Sequence, residues 1–210
     1  MASTTAPAVV PQAGKLSSSV ASASASSAER ASRSGIWIGI FAITMSFMAF
    51  TSALFVREGT PDWGHLVLPS ILYANTLALL ASSVTFEYSR RSLQLIGGGR
   101  LRSEAAGNIW LAATFALGIA FCVGQYFAWQ DLRAQGIYLA TNPNSSFFYV
   151  LTFIHVLHVA AGLGAFAYLL SRLLRAEGSI RRSFFENTAI YWHFMGVLWV
   201  YLLLLCRMKL

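Results

Sequence analysis

Two hundred and ten residues, 56% of them hydrophobic and only 11% charged, exclude an ordinary soluble domain, in which about a quarter of the residues carry charge. The net charge of +7 does not read as a nucleic-acid surface, because Lys and Arg fall in short stretches between apolar runs and form no continuous basic stripe. Basic connections of that kind set orientation in a membrane and meet anionic headgroups.

Residues 1–34 are rich in Ala, Ser, Thr and Pro and hold almost no large apolar side chain. Such a stretch buries too little surface to offset chain entropy, so a disordered cytoplasmic tail is expected. No apolar segment precedes Gly35 to serve as a signal peptide. Five charge-free runs follow, over 35–56, 66–86, 108–129, 147–170 and 188–206. Each is near the roughly 20 residues a helix needs to cross the hydrocarbon core. None shows the alternation of barrel strands. The expected fold is an all-α integral membrane bundle of five transmembrane helices over residues 35–210, a single domain punctuated by Pro61, Gly97-Gly98-Gly99 and Asn142-Pro143. Cys122 and Cys206 lie inside apolar runs and read as small buried hydrophobes.

Orientation follows from the basic residues. Lys15, Arg30 and Arg33, then Arg90, Arg91, Arg100 and Arg102, then Arg172, Arg175, Arg181 and Arg182 place eleven on one side, against Arg57, Arg133, Arg207 and Lys209 on the other. The N-terminus is expected in the cytoplasm and the C-terminus outside.

Polar side chains in hydrocarbon need a partner on a neighbouring helix, so they mark interhelical faces. At about 100° per residue, Asn75, Leu79, Ser82 and Phe86 share a face of the second span. Thr114, Gly118, Gln125 and Trp129 share one of the third, and His155, His158 and Gly162 one of the fourth. Trp192, Gly196 and Trp199 line the fifth, with His193 at the edge. The simpler reading is packing between helices or against another subunit. The alternative is a metal or haem site at His155, His158 and His193. Against it, the third span offers no facing His, Cys or Met, and no carboxylate lies in any span to orient an imidazole. No triad, CxxC, phosphate cradle or paired-carboxylate pattern is present.

The last run, ENTAIYWHFMGVLWVYLLLL, resembles the closing segment of cytochrome oxidase subunit III, through Glu186, Tyr191, Trp192, His193, Phe194 and Trp199. The fourth run is similar to the same family in its Phe147, Phe148, Thr152, His155, His158, Val159 and Gly162. So are Pro69, Asn75, Thr76, Ser82 and Ser83 of the second, and Gln125 and Trp129 of the third. The chain departs from the pattern at Gly196 (Asp in the family), Ala128 (Glu), Phe153 (Gly), and Ala42 with Ile43 (Ser-Glu). The resemblance covers residue 35 to the end and matches the five-helix bacterial form. It implies a non-catalytic subunit of a proton-translocating terminal oxidase in the bacterial inner membrane. Such a subunit binds no cofactor itself, because haem and copper lie in partner subunits. It packs on the catalytic subunit I beside the copper- or quinol-side subunit II, holds phospholipid and supports proton uptake. Arg172 and His193 are the implied lipid-binding candidates, and Asn75, Gln125, His155, His158, Trp192 and Trp199 the interhelical polar residues. An accessory protein of nitric oxide reductase, a free-standing haem-binding membrane protein and a small transporter are the competing readings. Whether the donor is cytochrome c or quinol is decided outside this chain.

Overall fold

A computed structural model of the chain describes residues 12–59, 63, 68–96, 100–103, 105–175 and 180–209. Five helices are formed: α1 (Gln12–Glu58), α2 (Ile71–Arg91), α3 (Ala105–Ala134), α4 (Pro143–Leu173) and α5 (Arg182–Lys209). By length and composition, α1 from Ser26, α3, α4 and α5 are apolar enough to cross a membrane. The chain is therefore a multi-pass membrane protein. At 21 residues, α2 is about 32 Å long and also matches the hydrocarbon thickness. It is the most polar of the five, and its Thr76, Ser82, Thr85 and Ser89 hydroxyls bond inside the bundle.

The structure adds detail at three places where the sequence leads one to expect otherwise. The first concerns the tail. Residues 12–34 are helical, continuous with the first span, and residues 1–11 lie outside those described. Once the apolar span has nucleated, each added residue gains a hydrogen bond, and an alanine-rich stretch extends the helix at little cost. Asn187 on α5 anchors this extension by donating to the Ser32 carbonyl (3.2 Å) and to its hydroxyl (2.8 Å). The second is that α2 starts at Ile71 and not at residue 66. Pro69 stands just ahead of the helix, where a proline is tolerated, as it is not in a helix interior. Residues 66 and 67 lie outside the described residues.

The third is an addition to the all-α bundle, a small sheet between its connections. Strands β1 (Leu93–Ile96) and β2 (Arg100–Ser103) form an antiparallel hairpin, and β3 (Ile180–Arg181) pairs with β2 through Leu101 and Ile180. This three-stranded sheet joins the second and fourth connections, so the basic residues of both lie at one end of the bundle. Ser32 and Asn187 bring the α1 extension to that same end. At the opposite end Lys209 pairs with Glu58 (3.0 Å), Trp63 donates its indole N–H to the Lys209 carbonyl (3.1 Å), and Arg207 donates to Tyr73 (2.5 Å).

Local chemistry sets the short turns there. Gly136 adopts φ +78° at the end of α3. The N–H groups of Gly136 and Ile137 bond to the carbonyls of Arg133 and Leu132, the αL stop that favours glycine. Helix α4 opens with Asn142 as N-cap and Pro143 next. Ser145 Oγ accepts the Asn142 N–H (3.2 Å) and donates to the Tyr138 carbonyl (2.9 Å), which fixes the turn.

Candidate functional site

The interior is held by α5. Trp192 Nε1 donates to Ser82 Oγ at 3.0 Å, and two turns later Trp199 Nε1 donates to Thr76 Oγ1 at 2.9 Å. Both acceptors are on α2. The Trp192 ring is fully buried and slots between two glycines. A Cβ at Gly118 of α3 would come within 2.9 Å of the indole and 2.6 Å of Leu163, and one at Gly162 of α4 within 3.1 Å of the indole. Phe166 meets the same ring edge-on at 4.7 Å between centroids. Helices α2 and α3 are joined by Thr85 and Thr114 (2.8 Å) and by Ser89 donating to the Gly107 carbonyl (3.0 Å). Asn75 fits over Gly124 so closely that a Cβ there would lie 2.0 Å from Oδ1. Trp129 Nε1 donates to Thr152 Oγ1 (3.0 Å), tying α3 to α4.

The sequence-derived faces are the buried faces. Asn75, Gln125, His155, Trp192 and Trp199 are all buried, and His158 is half-buried. The three histidines nevertheless point to different helices. His155 lies between Phe121 of α3 (5.8 Å) and Trp199 of α5 (5.2 Å). His158 faces Phe47 of α1 (6.0 Å), its Nδ1 is 2.7 Å from the Ile154 carbonyl, and its own carbonyl accepts from the Tyr191 hydroxyl. His193 faces Phe86 of α2 (6.3 Å). They do not converge, and among the described residues no group of three or more His, Cys, Asp or Glu could hold a metal ion.

His193 lines an open pocket of about 290 Å³ with Ser83, Val84, Glu87, Tyr88 and Arg91. Arg172 is half-buried in the last turn of α4 and is not part of that pocket, so the two lipid candidates occupy separate places. Arg91, paired with Glu87 at 3.4 Å, lines that pocket with His193.

The chain matches the family model for cytochrome c oxidase subunit III over residues 27–208. It is 32% identical to cytochrome c oxidase subunit 3 of Synechocystis, an alignment that covers 82% of this chain and 69% of that protein. Identity to the Lumbricus terrestris subunit 3 is 33%, over 82% of this chain and 68% of the relative. To the probable subunit 3 of Mycobacterium bovis it is 32%, over 60% of this chain and 59% of the relative. The chain belongs to the cytochrome c oxidase subunit III family. Three of its departures from the family pattern sit in packed surroundings, whereas Ala42 and Phe153 are exposed. Ala128 is fully buried, Ile43 packs against the core, and a Cβ at Gly196 would lie 3.5 Å from Ser83 Oγ.

One feature of this subunit III chain escaped the sequence reading. Gly35, Gly39, Ala42, Ser46, Ala49 and Ala53 of α1 are all exposed and repeat at intervals of four and three. They fall within an arc of about 80°, away from the buried face of Ile40, Phe47, Thr51 and Leu54. Larger Ile38, Met45 and Val56 border the stripe. Small residues at such spacing let a neighbouring membrane helix approach closely, whereas lipid gains nothing from them. The signal lies in the spacing of small residues, with no charged group to mark it.

Proposed function

We propose that this chain is the non-catalytic subunit III of a haem–copper terminal oxidase, serving cytochrome c or quinol oxidation in aerobic electron transport. It crosses the bacterial inner membrane five times, with the N-terminus and the β-sheet in the cytoplasm and the C-terminus outside. The observation that carries the reading is the match to subunit III along most of the chain. The helix joints through Trp192 to Ser82, Trp199 to Thr76 and Trp129 to Thr152 suit a packing subunit. In this reading haem and copper belong to the partner subunits, and the small-residue stripe of α1 is the surface offered to a helix of catalytic subunit I. Subunit II completes the complex without lending this chain a centre. Phospholipid is held at the cytoplasmic end, with Arg172 and the His193 pocket as its two sites, since a guanidinium at headgroup depth meets a phosphate bidentately. Through that end the subunit supports proton uptake by its partner.

The test is purification of the tagged chain from its native membrane in mild detergent. Subunits I and II of an oxidase, with their haem absorbance, are expected to accompany it. Recovery with nitric oxide reductase subunits, or alone with its own haem, would contradict the proposal. Arg172→Ala should purify with less bound phospholipid, and an unchanged lipid content would remove that residue from the lipid site.

A further inference from the structure

Three side chains contributed by three different helices are buried with polar atoms that have no protein partner. Asn75 is 4% exposed, and Gln125 and His155 are both 0% exposed. Among the described residues, Nδ2 of Asn75, both amide atoms of Gln125 and both ring nitrogens of His155 make no hydrogen bond. Of the buried side-chain atoms without a partner among the described residues, only Asn108 Oδ1, in the first turn of α3, lies elsewhere.

The packing brings the three to one junction. Asn75 sits against Gly124, the residue before Gln125. Gln125 lies between Phe121 and Trp129, one turn away on either side of the same α3 face. Phe121 meets the His155 ring, and Trp129 bonds to Thr152, one turn before His155. Trp199 closes the ring, stacking near His155 and donating to Thr76, the neighbour of Asn75. The contacts set the three near one level, because Asn75 lies against Gly124 and His155 against Phe121, both within a turn of Gln125.

The donor set identifies the occupant. Asn75 Nδ2 and Gln125 Nε2 donate, Gln125 Oε1 accepts, and a neutral imidazole offers one of each. A cation would need acceptors throughout and an anion donors throughout. A mixed, uncharged set in a place closed by Phe121, Trp129 and Trp199 fits water, which gives and takes two hydrogen bonds and satisfies buried polar groups that lack protein partners. We infer that Asn75, Gln125 and His155 form a buried hydration site that bridges α2, α3 and α4. The bound water is part of the joint between these helices, and it makes the half of the bundle carrying the C-terminus polar inside. The half around Trp192, Phe166 and Phe185 is dry.

Radiolytic footprinting tests this on the complex in which the chain purifies, reconstituted in nanodiscs. Millisecond X-ray exposure splits bound water into hydroxyl radicals that label the side chains beside it, read by peptide mass spectrometry. Phe121 and His155 are expected to be labelled several-fold faster than Phe166 and Phe185, which are equally buried. In Gln125→Leu the rate at Phe121 should fall to that of Phe166. Equal rates in the parent protein would overturn the site, as would direct bonding among the three side chains, which gives the same result. Labelling of Phe121 that persists in assembled Gln125→Leu would show that these residues do not hold the water. If Gln125→Leu fails to assemble, the comparison within the parent protein decides alone.

Discussion

At the scale of single residues, the fold depends on where a side chain is missing as much as on where one is present. Gly124 leaves the space that Asn75 fills, and Gly118 and Gly162 leave the slot for Trp192. Gly124→Ala should push Asn75 off its position and lower stability by about 1–3 kcal/mol, the usual cost of overpacking. Thermal unfolding of the purified complex measures it, and an unchanged midpoint would mean that Asn75 does not occupy that space. The histidines carry a second expectation. Replacing His155, His158 or His193 with Asn should leave the shape of the haem spectrum of the assembled complex unaltered, because each ring faces a different helix. A lost Soret component would reveal a ligand. Much of this scale was legible beforehand. Asn75, Gln125, His155 and Trp192 announced themselves as buried because a polar group in hydrocarbon must face protein. Which partner each one takes was not legible, since that depends on the rotation of the neighbouring helix. Gly124 gave no signal by itself, being one small residue among many.

At the scale of elements, α1 does two different jobs along its length. Its inner face, with Phe47, Thr51 and Leu54, packs on the bundle; Thr51 and Tyr201 bond at 2.9 Å. Its outer stripe faces away, and a Cβ at Gly39 would meet nothing within 4 Å. Gly39→Ile combined with Ser46→Ile should therefore leave the subunit folded in the membrane while reducing its recovery with the catalytic subunit. Normal recovery would show that the stripe faces lipid. The helical register of α1 was legible from residue 35 onward. Its extension to residue 12 was not, because composition alone predicts disorder and ignores the nucleated helix next to it. The β1–β2 hairpin was in principle readable, with Leu93, Leu95 and Leu101 alternating around the glycine triplet. The pairing of β2 with β3 was beyond reach, because those strands are separated by α3 and α4.

At the scale of the whole molecule, the two ends differ in chemistry. One gathers the sheet, the α1 extension and eleven basic residues, and the other the Lys209–Glu58 and Arg207–Tyr73 contacts. The split of basic residues foretold that the second and fourth connections share an end, and the sheet joins them there. Single cysteines in the α1 extension should resist a membrane-impermeant thiol reagent in intact cells. One at Thr141, exposed in the α3–α4 connection, should react. Labelling of the extension would reverse the orientation.

The proposed role is to assist an oxidase without carrying out its chemistry. Deleting the chain and following oxygen consumption by the remaining purified complex tests that most directly. Haem content and initial turnover are expected to persist, with activity decaying during sustained turnover and proton uptake slowed. A complex that lacks a haem or copper centre, or that reduces no oxygen from the first turnover, would contradict it.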